Sequence, residues 1–176
     1  MLKHIPNLLT FFRILLIPLF VVSYFYISPV DEKLLPMFIF VLATASDVLD
    51  GFIARRYNLI TKLGTLLDPL ADKLMLLTAL ICLYLDKRIP LIIIVLVLAK
   101  ECFMIVAGMY LYFAKDKFVI PANKLGKLAT ILFFAAVVSV LLGLSQLTQM
   151  IFMVFALITT FIAMSNYIRI YKKQHS

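Results

Sequence analysis

An all-α integral membrane protein with six transmembrane helices is the fold class that the sequence predicts, on three observations. First, 64% of the 176 residues are hydrophobic and 15% charged, and the mean hydropathy is +1.08, outside the range of soluble globular domains. Second, six apolar runs, at 8–28, 35–56, 64–85, 89–114, 121–144 and 147–170, reach the roughly 20 residues that cross a bilayer as a helix. Third, the charged residues cluster between those runs rather than being spread through them.

Each element has its own boundary signals. Asn7 is a suitable N-cap for the first helix, and Ser28-Pro29-Val30-Asp31 ends it. Lys3 and His4 form only a weak basic start, the following run contains Arg13, and no small-x-small site follows. The first helix is therefore read as retained rather than as a cleaved signal peptide. A short polar turn, Tyr57 to Leu63, joins the second and third helices, and Pro90 marks entry to the fourth. No loop is long enough to be a domain of its own, and no inverted repeat of the transporter type is present, so residues 1–176 read as a single transmembrane domain. Cys82 and Cys102 both lie in apolar runs, which argues against a disulfide framework or a zinc site. His4 and His175 read as solvated, and the Phe and Met residues of the last three helices as packing and lipid-facing groups.

Positive charge gives the orientation. The side holding the N-terminus, the 57–63 turn, the 115–127 loop and the C-terminus carries Lys3, Arg13, Arg55, Arg56, Lys62, Lys115, Lys117, Lys124, Lys127, Arg169, Lys172 and Lys173. The other side has Lys33, Lys87 and Arg88, offset by Asp31, Glu32 and Asp86. Both termini are expected in the cytoplasm, which requires an even number of spans in a multi-pass protein of the cell membrane. The net charge of +8 sits at membrane borders and not on one soluble face. Anionic headgroups and phosphate substrates are therefore better partners than nucleic acid.

The chemistry lies between positions 47 and 72. Asp47 and Asp50 are three residues apart, Asp68 and Asp72 four, so each pair shares one face of a helix. An ionisable group at bilayer depth is costly, and four carboxylates converging from two helices would repel unless divalent cations lay between them. Gly51, Ala54 and Gly64 remove bulk beside the acids, leaving room for close backbone approach or a flat ligand. Arg55, Arg56 and Lys62 stand at the cytoplasmic end, where they can clamp phosphate oxygens. Acids for metal, space for a ligand and cations for phosphate point to metal-assisted phosphoryl transfer at the membrane surface. Two rival readings are polar glue between helices, which does not need four acids at ligand spacing, and a divalent-cation transporter, which leaves Arg55 and the glycines without a role.

The pattern resembles the signature of the CDP-alcohol phosphatidyltransferase family (class I), D-x2-D-G-x2-A-R-x8-G-x3-D-x3-D. It is complete here as Asp47, Asp50, Gly51, Ala54, Arg55, Gly64, Asp68 and Asp72. Residues 5 to 130 are also similar to the family's bacterial branches that make phosphatidylglycerophosphate or cardiolipin, including an opening N-x-L-T-x-x-R element at Asn7, Leu9, Thr10 and Arg13. The resemblance implies a transfer of the phosphatidyl group from CDP-diacylglycerol to an alcohol, with release of CMP. It implies that Asp47, Asp50, Asp68 and Asp72 ligate Mg2+ or Mn2+, as two ions, hard cations suited to carboxylates near phosphate. Asp72 also serves as general base. It places the CDP moiety against Gly51, Ala54 and Gly64, with Arg55 and Thr61 on the diphosphate and Pro6, Asn7 and Thr10 lining the pocket. Arg13 is left between snorkelling to headgroups and touching substrate. A homodimer is implied as well.

The acceptor is read from a second basic set, Lys100, Lys124 and Lys127. The functional reading is an anionic pocket for the phosphate of glycerol 3-phosphate; the structural one is a buried Lys100–Glu101 ion pair. In the phosphatidylglycerophosphate branch an A-R-E-F element is common, whereas Ala99-Lys100-Glu101-Cys102 stands here, and lysine lacks the arginine fork. Gly126-Lys127 keeps the later G-K element. Glycerol 3-phosphate is the expected acceptor, with phosphatidylglycerol, giving cardiolipin, as the alternative.

Overall fold

The computed structural model describes residues 5–28, 33–56, 62–114 and 124–173, and side chains within 11–28, 33–49, 71, 73–103 and 125–166. The described residues are helical, without strands. The helices are α1 (Ile5–Val22), a π-helical turn (Ser23–Ile27), α2 (Leu34–Arg56), α3 (Lys62–Leu85), α4 (Leu91–Ala114), α5 (Lys124–Leu141) and α6 (Gln146–Lys173). Among the described residues Gln146–Asn166 is long and apolar enough to cross a membrane, while Phe11–Ile27, Leu34–Leu49, Lys73–Leu85 and Leu125–Leu141 are apolar but shorter. The second and third of these shorter stretches belong to helices whose remaining turns carry the signature charges other than Asp47.

The chain divides into two compact units, one formed by Met1–Arg88 with Leu141–Gly143, the other by Ile89–Val140 with Leu144–Ser176. In the first, α1 packs against both α2 and α3, and α2 against α3. Among the described side chains the buried positions of α1 are Arg13, Leu16 and Phe20, and Ser23 and Tyr24 of the π turn continue the same face, each three or four residues from the one before it on that face. Pro18 falls on the exposed side of α1, where its missing N–H leaves the packed face undisturbed. On α2 the face runs through Pro36, Ile39, Phe40, Ala43 and Ser46, and on α3 through Ala71, Met75, Ala79, Cys82 and Leu83. The Phe20 ring meets Tyr24 and Phe40 at centroid distances of 5.9 and 6.2 Å.

Polar groups tie this unit together at the C-terminal end of α1 and α3. The Tyr24 hydroxyl donates to Asp86 Oδ2 at 2.7 Å, and Arg88 Nε donates to the same oxygen at 2.7 Å. Buried Lys33, just before α2, donates from Nζ to the Tyr24 carbonyl at 2.7 Å and lies 4.4 Å from that ring's centroid. It thereby satisfies a carbonyl that the π turn leaves without an ordinary helical partner. The sequence groups Lys33 with the charges on the side opposite the termini; in the structure its side chain is buried in the packing.

In the second unit α4 packs against α6. Among the described side chains, Ile93, Ile94 and Val97 of α4 and Met153, Ala156 and Thr160 of α6 are buried. On α5, Ala129, Phe133, Ala136, Val137 and Val140 make the buried face. All six helices also carry large apolar side chains on their exposed faces, among them Phe11, Phe38, Ile81, Ile92, Ile131 and Phe155.

Candidate functional site

The signature is carried by the C-terminal turns of α2 and the N-terminal half of α3. Asp47, Asp50, Gly51, Ala54 and Arg55 lie on α2, and Gly64, Asp68 and Asp72 on α3. No proline interrupts α2 between Asp47 and Arg55. The hydroxyls of Thr44 and Ser46 bond back to the carbonyls of Phe40 and Leu42, so neither competes for the helix's neighbours. Asp47 is four residues beyond buried Ala43, and Asp50 three beyond Asp47. On α3, Asp68 and Asp72 precede buried Met75 by seven and three residues. Both aspartate pairs therefore continue the register of the faces on which their helices pack. The side chains of Asp50, Asp68 and Asp72, and those of Pro6, Asn7 and Thr10 on α1, of Arg55 on α2 and of Lys124 on α5, lie outside the described residues, as does Thr61 altogether. Among the described residues no group of three or more His, Cys, Asp or Glu side chains assembles.

Asp47 is the signature acid whose surroundings are described. Its Oδ1 forms an ion pair with Arg13, 2.7 Å from Nη1. The arginine side chain is sealed, 1% exposed, while the carboxylate is 35% exposed. Arg13 does not snorkel: it belongs to the buried stripe of Leu16 and Phe20 and crosses from α1 to α2. That role was readable from position, because Arg13, Leu16 and Phe20 are spaced by three and four.

The donor set suits a hard divalent cation. All four signature acids are carboxylates, with no thiolate or imidazole among them, which favours Mg2+ or Mn2+ over zinc. Arg13 Nη1 lies 2.7 Å from Oδ1 of Asp47, and a carboxylate carries a second oxygen that can accept.

The second basic set is less uniform. Lys100 Nζ lies 2.6 Å from Glu101 Oε1 on α4, with both side chains largely sheltered. Lys127 is exposed near the start of α5. A Cβ at neighbouring Gly126 would meet nothing within 4 Å, so that glycine is not held there by packing.

Comparison with known proteins gives consistent findings. A family model described as CDP-alcohol phosphatidyltransferase matches residues 3–162. A Rickettsia felis protein named CDP-diacylglycerol–glycerol-3-phosphate 3-phosphatidyltransferase is 38% identical over 141 residues, covering 80% of this chain and 76% of its own. A Bacillus subtilis protein of the same name is 34% identical over 140 residues, 72% of this chain and 70% of its own. A shorter match, 50% identical over 78 residues, is to the protein of that name in Pectobacterium atrosepticum, covering 44% of this chain and 42% of its own.

Proposed function

Because this chain belongs to the CDP-alcohol phosphatidyltransferase family, we propose that it is a CDP-diacylglycerol–glycerol-3-phosphate 3-phosphatidyltransferase. It is an enzyme that transfers the phosphatidyl group from CDP-diacylglycerol to glycerol 3-phosphate and releases CMP. The observation that carries this reading is the complete eight-position signature on two packed helices, in a chain with relatives of that name along most of its length.

The residues divide the work. Asp72 accepts the proton of the acceptor hydroxyl. The acceptor oxygen then forms a bond to the phosphorus bearing diacylglycerol, and the bond from that phosphorus to the oxygen of CMP breaks. Arg55 and Thr61 hold the diphosphate, while Gly51, Ala54 and Gly64 leave room for the cytidine, with Pro6, Asn7 and Thr10 along the pocket. Asp47, Asp50, Asp68 and Asp72 hold Mg2+ or Mn2+, as two ions. When bound, the ions stabilise charge on the transferring and leaving oxygens. Lys100, Lys124 and Lys127 attract the acceptor phosphate. Fixing both substrates and their charges supplies most of the acceleration.

The bilayer belongs to the same proposal. Helices α2, α3 and α4 have 23, 24 and 24 residues, about 35 Å at 1.5 Å per residue, against a hydrocarbon core of about 30 Å. The large apolar side chains exposed on all six helices exceed what a water-facing surface carries. Six spans, both termini and the site on the cytoplasmic side, a homodimer, and residues 1–176 acting as one catalytic domain complete the reading. The family match over 3–162, which runs through both compact units, supports the last point.

The test is CMP release by the purified protein in detergent, with CDP-diacylglycerol, Mg2+ and one acceptor at a time. Release with glycerol 3-phosphate and its loss in Asp72→Asn are expected. Release only with phosphatidylglycerol would reassign the acceptor, and no release with any alcohol would overturn the enzyme reading in favour of cation transport.

A further inference from the structure

We propose that Arg13 is a positioning residue for the metal centre: it fixes the carboxylate of Asp47 through Oδ1 and so sets the site's affinity for its cation. The proposal rests on the metal reading of the signature given above.

Three observations carry it. The guanidinium is the most deeply sealed charged group among the described residues, 1% exposed, yet Asp47 opposite it is a third exposed. A purely structural pair would gain little from such an arrangement. Burying a guanidinium is costly, and an apolar residue of similar size often serves packing as well or better. The pair also joins α1 to the helix bearing the first signature acid, so α1 controls where that acid stands. Finally, the ion pair brings Arg13 Nη1 to 2.7 Å from Oδ1 of Asp47. A carboxylate has two oxygens, so holding Oδ1 restricts the side chain while leaving Oδ2 as a metal donor. Outer partners of this kind orient a ligand before the cation arrives, and a fixed positive charge also offsets repulsion among the clustered acids.

Two effects oppose each other here. The positive charge of Arg13 repels a cation, whereas its hold on Asp47 removes the cost of ordering the ligand. Loss of an outer partner typically weakens metal binding roughly 10- to 100-fold, so orientation is expected to win.

Mn2+ binding to the full chain in detergent, followed by loss of the free-ion paramagnetic resonance signal and without lipid substrate, tests this independently of turnover. The proteins compared are wild type, Arg13→Met, Arg13→Lys, Asp47→Asn and the Arg13→Met/Asp47→Asn double variant, each at a matched thermal midpoint. Arg13→Met should raise the half-saturating Mn2+ concentration by roughly 10-fold or more, with Arg13→Lys intermediate because it keeps charge but not the planar fork. Once Asp47 is Asn, removing Arg13 should change nothing further. Should Arg13→Met not fold, Arg13→Gln supplies the same comparison. Wild-type affinity in the folded Arg13 variants, or an Arg13 effect that persists in full in the Asp47→Asn background, overturns the positioning role. A wild-type protein that binds no Mn2+ overturns the metal reading itself and the proposal with it.

Discussion

Removing a single hydroxyl at Tyr24 should loosen the end of the first unit opposite the signature. Tyr24 is fully buried and its ring packs against Phe20, so Tyr24→Phe keeps the shape and deletes only the bond to Asp86. A hydrogen bond to a charged group contributes about 1.5–3 kcal/mol net. The lower part of that range applies, because the Asp86 side chain is 26% exposed and keeps its 2.7 Å bond from Arg88, so water and Arg88 replace part of what is lost. A loss of about 1.5 kcal/mol corresponds to a fall of roughly 3–6 °C in thermal midpoint for a chain of this size. Cys82 supplies the assay: its thiol is buried on α3 and should react with a fluorogenic maleimide only on unfolding. Cys102, already exposed, is replaced by Ser to remove background.

The same bond fixes the pH dependence. Burial pushes the Asp86 carboxyl up, but the hydrogen bonds from Tyr24 and Arg88, with the charges of Arg88 and Lys33, outweigh it and hold the group below its ordinary value. A carboxyl with a folded-state pKa below its unfolded value of about 3.9 contributes its full stabilisation above that value. The contribution fades as pH falls through the folded-state pKa. The gap between wild type and Tyr24→Phe should therefore be constant from neutral pH down to about 5 and shrink in more acid solution. An unchanged midpoint at neutral pH, or a gap that is the same at pH 3 as at pH 7, would refute the reasoning.

Two helix ends offer a paired comparison, since α3 and α5 close alike: Arg88 N–H donates to the Leu83 carbonyl at 2.9 Å and Leu144 N–H to the Ser139 carbonyl at 3.1 Å, each around a left-handed residue, Lys87 (φ 58°) and Gly143 (φ 64°). Lys87→Gly should stabilise by up to about 1 kcal/mol and Gly143→Ala destabilise by about 1 kcal/mol, the latter through backbone alone because a Cβ there meets nothing; thiol-reactivity melts measure both. Chelation of divalent ions should abolish CMP release, and adding back Mg2+ or Mn2+ should restore it where Ca2+ does not, given the smaller cation's preference for octahedral geometry. Lys127→Ala should raise KM for glycerol 3-phosphate by about 10-fold, or 1.4 kcal/mol, with kcat little changed, as the initial-rate dependence on acceptor would report.

Helix ends were legible in the sequence where a local breaker stands, but Asn7, read as the N-cap of the first helix, lies inside α1, which starts at Ile5. Ser28-Pro29 and Pro90 act through their own backbone, so predicted and observed ends at 28 against Ile27 and at 89 against Leu91 differ by one or two residues. The aspartate pairs were legible for a related reason, since spacing along one helix fixes which face two residues share. What was not legible depends on partners from distant helices. Lys33 and Arg13 both read as border charges in the sequence, yet one caps the Tyr24 carbonyl and the other grips Asp47. Lys100 remained poised between substrate and neighbour, and the structure puts it on Glu101 at 2.6 Å, which leaves its place in the acceptor pocket to be decided by binding energy. A glycerol phosphate dianion would have to compete with that carboxylate. Lys127, exposed and in no such pair among the described contacts, needs no such exchange. Of the two proposed acceptor residues whose side chains are described, Lys100 and Lys127, Lys127 is the one with no ion pair among the described contacts, and for that reason its substitution is the more direct probe of acceptor choice.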